Sequence, residues 1–236
     1  MYYGYGYGYG YGMDWAYLLL MVVTMVLGLI SQAYIKSTYA KWSQVPSPGG
    51  RTGAEMARRM LEHEGAASVG IGHVAGHLTD HYDPMSNNLN LSDENFSGGS
   101  VASIAVACHE AGHAVQTARG YLPGRIRTAI VPAVNLTQRW WSALFFMGFL
   151  LNMGGLVQIS ILLFAFSVIF HLVTLPVEID ASRRAVAFLS QYGTGIDQRG
   201  AKAVLTAAAM TYVAAALSSI LQLLYLISRT SRRSDY

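Results

Sequence analysis

Four long apolar stretches alternate with polar segments along the chain, and this pattern predicts its architecture. They cover residues 15–34, 130–152, 156–175 and 203–227. Each approaches the ~20 residues that a helix needs to cross the hydrocarbon core of a bilayer. The second stretch is the least apolar, because Asn135, Gln138 and Arg139 lie in its first half. The pattern predicts four membrane helices, with Trp140 and Trp141 marking the headgroup level in the second.

Composition and charge agree with a membrane protein and suggest its orientation. Of the 236 residues, 53% are hydrophobic and 12% are charged, about half the usual charge of a soluble domain. Twelve of the sixteen Lys and Arg residues lie between the first and second stretches or between the third and fourth. The positive-inside rule makes that face cytoplasmic. Arg229, Arg232 and Arg233 in the tail argue for the opposite orientation.

The basic residues do not indicate a nucleic-acid partner. The net charge is +3 and the pI is about 9.0. The charges cluster beside the apolar stretches and not in a basic stripe interleaved with aromatic residues. The lipid bilayer is therefore the partner that the charge pattern predicts.

The polar region after the first stretch predicts a small lobe with both helices and strands. Thr52-Gly-Ala-Glu55 has the pattern of a capping box and opens a short amphipathic helix that Gly65 ends. Residues 68–77 are rich in glycine and predict strand and turn. Residues 80–84 predict a turn, and residues 88–92 alternate as a strand does.

The segment from His109 to His113 reads His-Glu-Ala-Gly-His. Two histidines four apart on a helix differ by about 40° around the axis and about 6 Å along it, so both can ligate one Zn²⁺. Glu110 lies between them, where a general base can take a proton from a zinc-activated water. Residues 100–118 read as one buried helix that Gly120 stops. The motif predicts a zinc-dependent hydrolase.

A catalytic zinc needs three protein ligands and an open position. Glu178 follows the third apolar stretch and lies on the same predicted side as the motif. The positions that share its helical face are all small: Ala181, Ser182 and Ala185. A face of small residues allows close approach to the motif helix, so Glu178 is the predicted third ligand. Asp180 is the alternative ligand, and an ion pair of Glu178 with Arg183 or Arg184 is the alternative without a metal.

Three further histidines are spaced by four residues and would align on a helix: His73, His77 and His81. Gly70, Gly72 and Gly76 argue against a helix there. We interpret these histidines as solvated or loop-ordering side chains, with a second metal site as the alternative.

Several short motifs taken together resemble those of one family. They are Lys36-Ser-Thr-Tyr39, Thr52-Gly-Ala54, Asp80-His-Tyr-Asp-Pro84, Ser100-Val-Ala102, His109-Glu110-Ala-Gly-His113, Ile130-Val-Pro132, Val173-Thr-Leu-Pro-Val-Glu178 and Thr211-Tyr-Val-Ala-Ala-Ala216. In these residues the chain from Trp15 to Ser228 resembles the YugP-like bacterial membrane zinc metallopeptidases. It resembles, more distantly, the HtpX and CAAX-prenyl-protease type.

The resemblance implies a multi-pass membrane protein with a gluzincin-type site, in which two motif histidines and a downstream glutamate bind zinc. The downstream glutamate matches Glu178. In the more distant type, an aspartate commonly follows the ligand glutamate by four residues and orients a ligand histidine. This chain has Ser182 at that position, and a serine accepts a hydrogen bond but carries no charge.

The predicted fold is mainly α: a multi-pass helical membrane protein with a small α+β lobe of gluzincin-type zincin character on the cytoplasmic face. The predicted divisions are a Tyr-Gly leader (1–14), a first transmembrane helix (15–34), a catalytic lobe (35–127), transmembrane helices 2–4 with a third-ligand helix near 177–190 (128–228), and a basic tail (229–236).

The predicted function is a zinc metalloendopeptidase of the cell membrane that cleaves peptides or membrane proteins. His109, His113 and Glu178 hold Zn²⁺ and Glu110 is the general base. Candidates for stabilising the developing oxyanion are Arg184, Tyr212 and His81, and a strand before the motif helix could pair with an extended substrate. The alternative is a non-catalytic, zinc-stabilised scaffold or chaperone-like partner, which leaves Glu110 without a role.

Overall fold

The computed structural model describes residues 15–151, 153–193 and 195–234. The predicted Tyr-Gly leader lies outside the described residues. The elements, in chain order, are α1 (Trp15–Ser43), α2 (Gly53–His63), β1 (Gly70–Val74), β2 (His81–Asp83), β3 (Asn88–Ser92), α3 (Asp93–Ser97), α4 (Val101–Ala118), α5 (Leu122–Leu150), α6 (Gly154–Tyr192) and α7 (Gln198–Ser234). The described chain is therefore mainly helical with one small sheet, as the sequence predicts.

Within the described residues, three helices are long and apolar enough to cross a membrane: α1, α6 and the part of α7 from Gln198 to Arg229. The remaining predicted span, the second in chain order, lies in α5, a continuous helix of 29 residues that is not among these three. Its polar residues, noted above, account for the difference, because they lower the average apolarity of the helix.

Helix α1 shows the distribution of side chains expected of a helix that faces lipid. Its large apolar side chains point outward, with Trp15 75% exposed and Leu19 66% exposed. Its buried residues are polar or amphipathic and recur every seven positions: Thr24, Ser31 and Thr38, with Tyr39 adjoining. This buried side lies along α7, where the Gln222 amide donates to the Thr24 hydroxyl at 3.5 Å. A soluble helix buries its apolar side instead, so this reversed pattern supports a lipid-facing role.

The lobe between α1 and α5 has its own apolar core. It is built on α2, the sheet and α4, and the C-terminal half of α6 and the start of α7 complete it. Its largest fully buried apolar side chains are Met56, Met60, Leu61, Leu89, Leu91, Ile104, Val101 and Val115. The predicted capping box is present at the start of α2, where Thr52 and Glu55 exchange hydrogen bonds. Helix α6 thus has an apolar first half that is long enough to span a membrane and a second half that packs on the lobe.

The three strands form one sheet in the order β1-β3-β2. Strand β3 pairs in parallel with β1 and antiparallel with β2, so it lies in the centre. The strand predicted at residues 88–92 is confirmed, but it offers no exposed edge. Residues 81–83 form strand β2, where the sequence predicted a turn, and β2 is the sheet edge that packs on α4.

Helices α5 and α6 form a long antiparallel hairpin. From Arg127 to the end of α5 at Leu150, and from the start of α6 at Gly154 to Glu178, the helices rise by about 35 Å in each case. Helix α6 continues through Pro176, so the separate helix predicted near residues 177–190 is its C-terminal half. A proline lacks the N–H that an interior helical residue donates, and here packing against α4 and α5 keeps the helix continuous.

Candidate metal centre

The motif helix α4 lies at the middle of the lobe, in contact with α2, α6 and α7. Its start is capped by Ser100, whose hydroxyl accepts a hydrogen bond from the Ser103 amide, and Gly120 follows its end with a φ of 64°. The predicted buried helix is therefore confirmed. His109 and His113 project from one side, and their ring centroids are 4.8 Å apart.

Glu178 reaches the two histidines from α6. Its Oε2 atom is 3.2 Å from His109 Nε2 and 3.5 Å from His113 Nε2. One ligand atom from each of the three side chains lies within 4.8 Å of the others. Glu178 is only 2% exposed. Two imidazole nitrogens and one buried carboxylate oxygen that converge in this way fit a zinc ion with one position left open.

The outer nitrogens of both imidazoles are held by hydrogen bonds. His109 Nδ1 is 3.1 Å from the Ser182 hydroxyl, and His113 Nδ1 is 3.1 Å from Gln116 Oε1. A hydrogen bond at Nδ1 fixes the ring and leaves Nε2 as the ligand atom. Ser182 therefore makes the contact that the family resemblance implied, and Gln116 was not expected from the sequence.

Asp180, the alternative ligand, lies outside the three-residue cluster. Its carboxylate accepts a hydrogen bond from Gln116 Nε2 at 2.9 Å and pairs with Arg184 at 2.6 Å. Gln116 Nε2 also donates to the backbone carbonyl of Val177 at 2.8 Å. Arg184 is therefore the partner of Asp180 and not of Glu178, and Asp180 holds the glutamine that orients His113.

Glu110 lies beside the cluster on α4. Its carboxylate makes no hydrogen bond with the residues that the structure describes. Burial raises its pKa, and the neighbouring charges of His113 and His109 act in the opposite direction. A partly buried carboxylate next to two metal-type ligands is suited to accept a proton from a water between them.

Gly112 allows α4 and α6 to touch. A Cβ atom at this position would lie 2.8 Å from the carbonyl oxygen of Ala181 and 3.1 Å from its Cα. Ala181 and Ala185 are fully buried at this crossing. The small face predicted from the sequence is therefore the contact that brings Glu178 to the histidines.

We expect Gly112→Ala to weaken zinc binding and lower the melting temperature, because the added methyl group forces α6 away from α4. Overpacking of this kind costs about 1–3 kcal/mol. Zinc titration and thermal unfolding measure the two effects. The matched control is Gly124→Ala on α5, whose Cβ would meet only Tyr121 at 3.7 Å. Wild-type zinc affinity in Gly112→Ala would show that the close crossing is not required.

Two residues near the cluster were not assigned to it by the motif. Arg127 on α5 has its Nη2 atom 3.9 Å from Glu178 Oε1. Tyr212 on α7 approaches Glu178 and lies near enough to interact with the charges of Glu110 and Arg127. From the sequence, Tyr212 was a candidate oxyanion donor, whereas Arg127 was only one of the basic residues beside a membrane segment. No local pattern distinguishes Arg127 from Arg125.

The other residues considered for the site have different partners. Arg184 pairs with Asp180, and His81 contacts the Thr79 carbonyl and the Asn90 amide. His73 pairs with Asp93, and His77 lies 3.0 Å from Glu94. These three histidines lie in β1, in the following loop and in β2, so they do not align on a helix.

Comparison with known proteins agrees with this geometry. A family model described as "putative neutral zinc metallopeptidase" matches residues 17–231. A protein of Bacillus subtilis (strain 168) named "putative membrane protease YugP" is 41% identical over 210 residues, which are 88% of this chain and 93% of that protein. No solved structure matches the chain. The chain therefore belongs to the zinc metallopeptidase family that this model describes.

Proposed function

We propose that this protein is a membrane-embedded zinc metalloendopeptidase of the gluzincin type. The observation that carries the proposal is the convergence of Glu178 with His109 and His113 beside an unpaired carboxylate, Glu110. A structural zinc site would favour four protein ligands and would need no base. The scaffold alternative leaves Glu110 unexplained, and the family name agrees with a peptidase.

The proposed chemistry divides between the metal and the side chains. Zinc, when bound, supplies a Lewis acid that polarises a peptide carbonyl and lowers the pKa of water. His109, His113 and Glu178 would hold the ion, while Ser182 and Gln116 keep the imidazoles oriented. Glu110 takes a proton from the attacking water and delivers it to the nitrogen of the leaving amine.

The edge strand β2 is the proposed docking site for the substrate backbone. Its inner side pairs with β3, and its outer side makes no strand pair with the described residues. Asp80, which precedes β2, accepts hydrogen bonds from the Ser92 amide and the Asn95 side chain, so the start of β2 is fixed to the lobe. Asp80 also lies close enough to Glu110 to interact with its charge. An extended peptide added to this edge would therefore pass beside Glu110.

We propose that α5 crosses the membrane together with α6, which gives four spans. The two helices lie side by side over about 35 Å, and Arg127 near one end meets Glu178 near the same end of α6. If α6 crosses, its partner helix reaches the same depth. Four spans place the lobe and the loop after α6 on one face, which the positive-inside rule assigns to the cytoplasm. The site then lies at the membrane surface, where peptides or membrane-protein segments could enter.

We expect purified protein to contain about one zinc per chain, and His109→Ala and His113→Ala each to lose it, because each removes a ligand atom. Removing zinc with a chelator should abolish cleavage of casein, and returning zinc should restore it. Metal analysis and a peptide-release assay measure these effects. The matched control is His73→Ala, whose side chain is about half exposed and pairs with Asp93. Full zinc content in both motif variants would contradict the proposed site.

A further inference from the structure

Arg127 carries hydrogen-bond donors that have no acceptor. Its Nε atom is buried and makes no hydrogen bond. Its Nη2 atom lies 3.9 Å from Glu178 Oε1, which is beyond hydrogen-bonding distance. A guanidinium has five N–H donors and carries its charge at all working pH values. Within the described residues, the Arg127 guanidinium therefore lies beside the candidate metal centre without acceptors for its N–H groups.

A buried donor without an acceptor destabilises the fold, so an arginine in this position points to an acceptor that arrives from outside. If Arg127 served only to neutralise Glu178, a close bidentate pair would be the favourable arrangement. The observed contact is long and involves one nitrogen. The side chain is 35% exposed, so an incoming group can reach it.

Arg127 lies next to the proposed metal ligands. Glu178 turns Oε2 toward the two imidazoles and Oε1 toward Arg127. The Tyr212 hydroxyl approaches the same carboxylate and interacts with the Arg127 charge. Arg127 and Tyr212 therefore lie near a metal ligand, on two helices that do not carry the motif.

We propose that Arg127 is a catalytic residue that binds the scissile carbonyl oxygen of the substrate. This inference rests on the proposed peptidase function. When the water oxygen bonds to the carbonyl carbon, the C=O electron pair moves onto the carbonyl oxygen and Glu110 takes the water proton. The Arg127 N–H groups stabilise this negative charge. The oxyanion electron pair then re-forms the C=O bond as the C–N bond breaks, and Glu110 passes its proton to the amine nitrogen, while Arg127 keeps its own protons.

The test compares Arg127→Gln with Arg125→Gln, a matched change at an exposed arginine two positions earlier on α5. We expect Arg127→Gln to retain one zinc per chain and a KM for casein near that of the wild type. Its kcat should fall about 10²–10³-fold, the usual effect of removing one oxyanion donor. Binding of a phosphinic pseudopeptide, whose tetrahedral oxygens mimic the charged intermediate, should weaken by a similar factor in calorimetry. Arg125→Gln should match the wild type in every measurement.

Three outcomes separate this inference from the proposed function. Loss of zinc in Arg127→Gln would make the arginine a positioning residue for Glu178 and overturn the inference. Wild-type kcat and pseudopeptide binding in that variant, with zinc-dependent casein cleavage in the wild type, would overturn it and leave the proposed function standing. A wild-type protein that neither cleaves casein nor binds the pseudopeptide would overturn both.

Discussion

Glu110→Gln should retain zinc and the native fold but lose about 10²–10⁴-fold in the rate of peptide hydrolysis. The amide keeps the size of the carboxylate but cannot accept the proton of the attacking water. The Glu110 carboxylate makes no hydrogen bond with the described residues, so the substitution breaks no side-chain contact that holds α4 in place. The measurements are zinc content, melting temperature and the initial rate of casein cleavage by purified protein.

The matched control for this prediction is Glu62→Gln, an exposed glutamate on α2. It makes the same chemical change away from the cluster and should leave the rate unchanged. A Glu110→Gln preparation that cleaves casein at the wild-type rate would show that another group is the base or that a contaminating protease carries the activity.

Glu178→Ala should lower zinc affinity by more than about a hundredfold, because it removes an oxygen ligand together with its negative charge. The carboxylate is buried between His109 and His113, and no other acidic side chain joins this cluster in the described chain. Asp180→Ala should cost about tenfold or less, since Asp180 acts only through Gln116. Competition titration with a zinc-binding dye gives both affinities.

Glu178→Gln separates the metal contact from packing in this experiment. It keeps the buried volume and removes the charge, so it should also bind zinc weakly while its melting temperature in the absence of zinc stays near that of the wild type. The reverse ranking, in which Asp180→Ala empties the site and Glu178→Ala leaves it filled, would refute the ligand assignment and the gluzincin interpretation with it.

The elements that the sequence predicts correctly are those whose signals lie close together in the chain. Helix α4 has a capping serine at position 100, a periodic apolar face and a stop at Gly120, all within about twenty residues. The capping box at Thr52 and the alternating strand at residues 88–92 are local in the same way. Backbone geometry over a few residues decides such features, so the sequence alone is sufficient for them.

The approach of Glu178 to the motif is a long-range feature that the sequence nevertheless suggested. Two general constraints predict it: a pair of membrane helices returns the chain to the side that it left, and small residues allow two helices to approach closely. The close crossing agrees with the second constraint, since Gly112 lies against Ala181 and the three side chains converge. The sequence did not reveal that Gly112 supplies the other half of this contact.

Where the prediction differed, the packing of distant segments decided the outcome. The sequence predicted a separate helix near residues 177–190, but contacts with α4 and α5 keep α6 continuous through Pro176. The sequence predicted that the strand at residues 88–92 has a free edge, but this strand is β3, and β1 and β2 pair with both of its sides. Local propensity is weaker than tertiary contacts of this kind.

The apolar helices, the spacing of the two histidines and the glutamate between them follow from the sequence, because each of these features lies within one helix. Which polar side chains surround the cluster depends on tertiary packing. Gln116 turned out to orient His113, Asp180 to hold Gln116, and Arg127 to face Glu178. Their positions depend on how three helices, α4, α5 and α6, pack against one another. A short-range sequence pattern does not predict the distance between side chains on different helices.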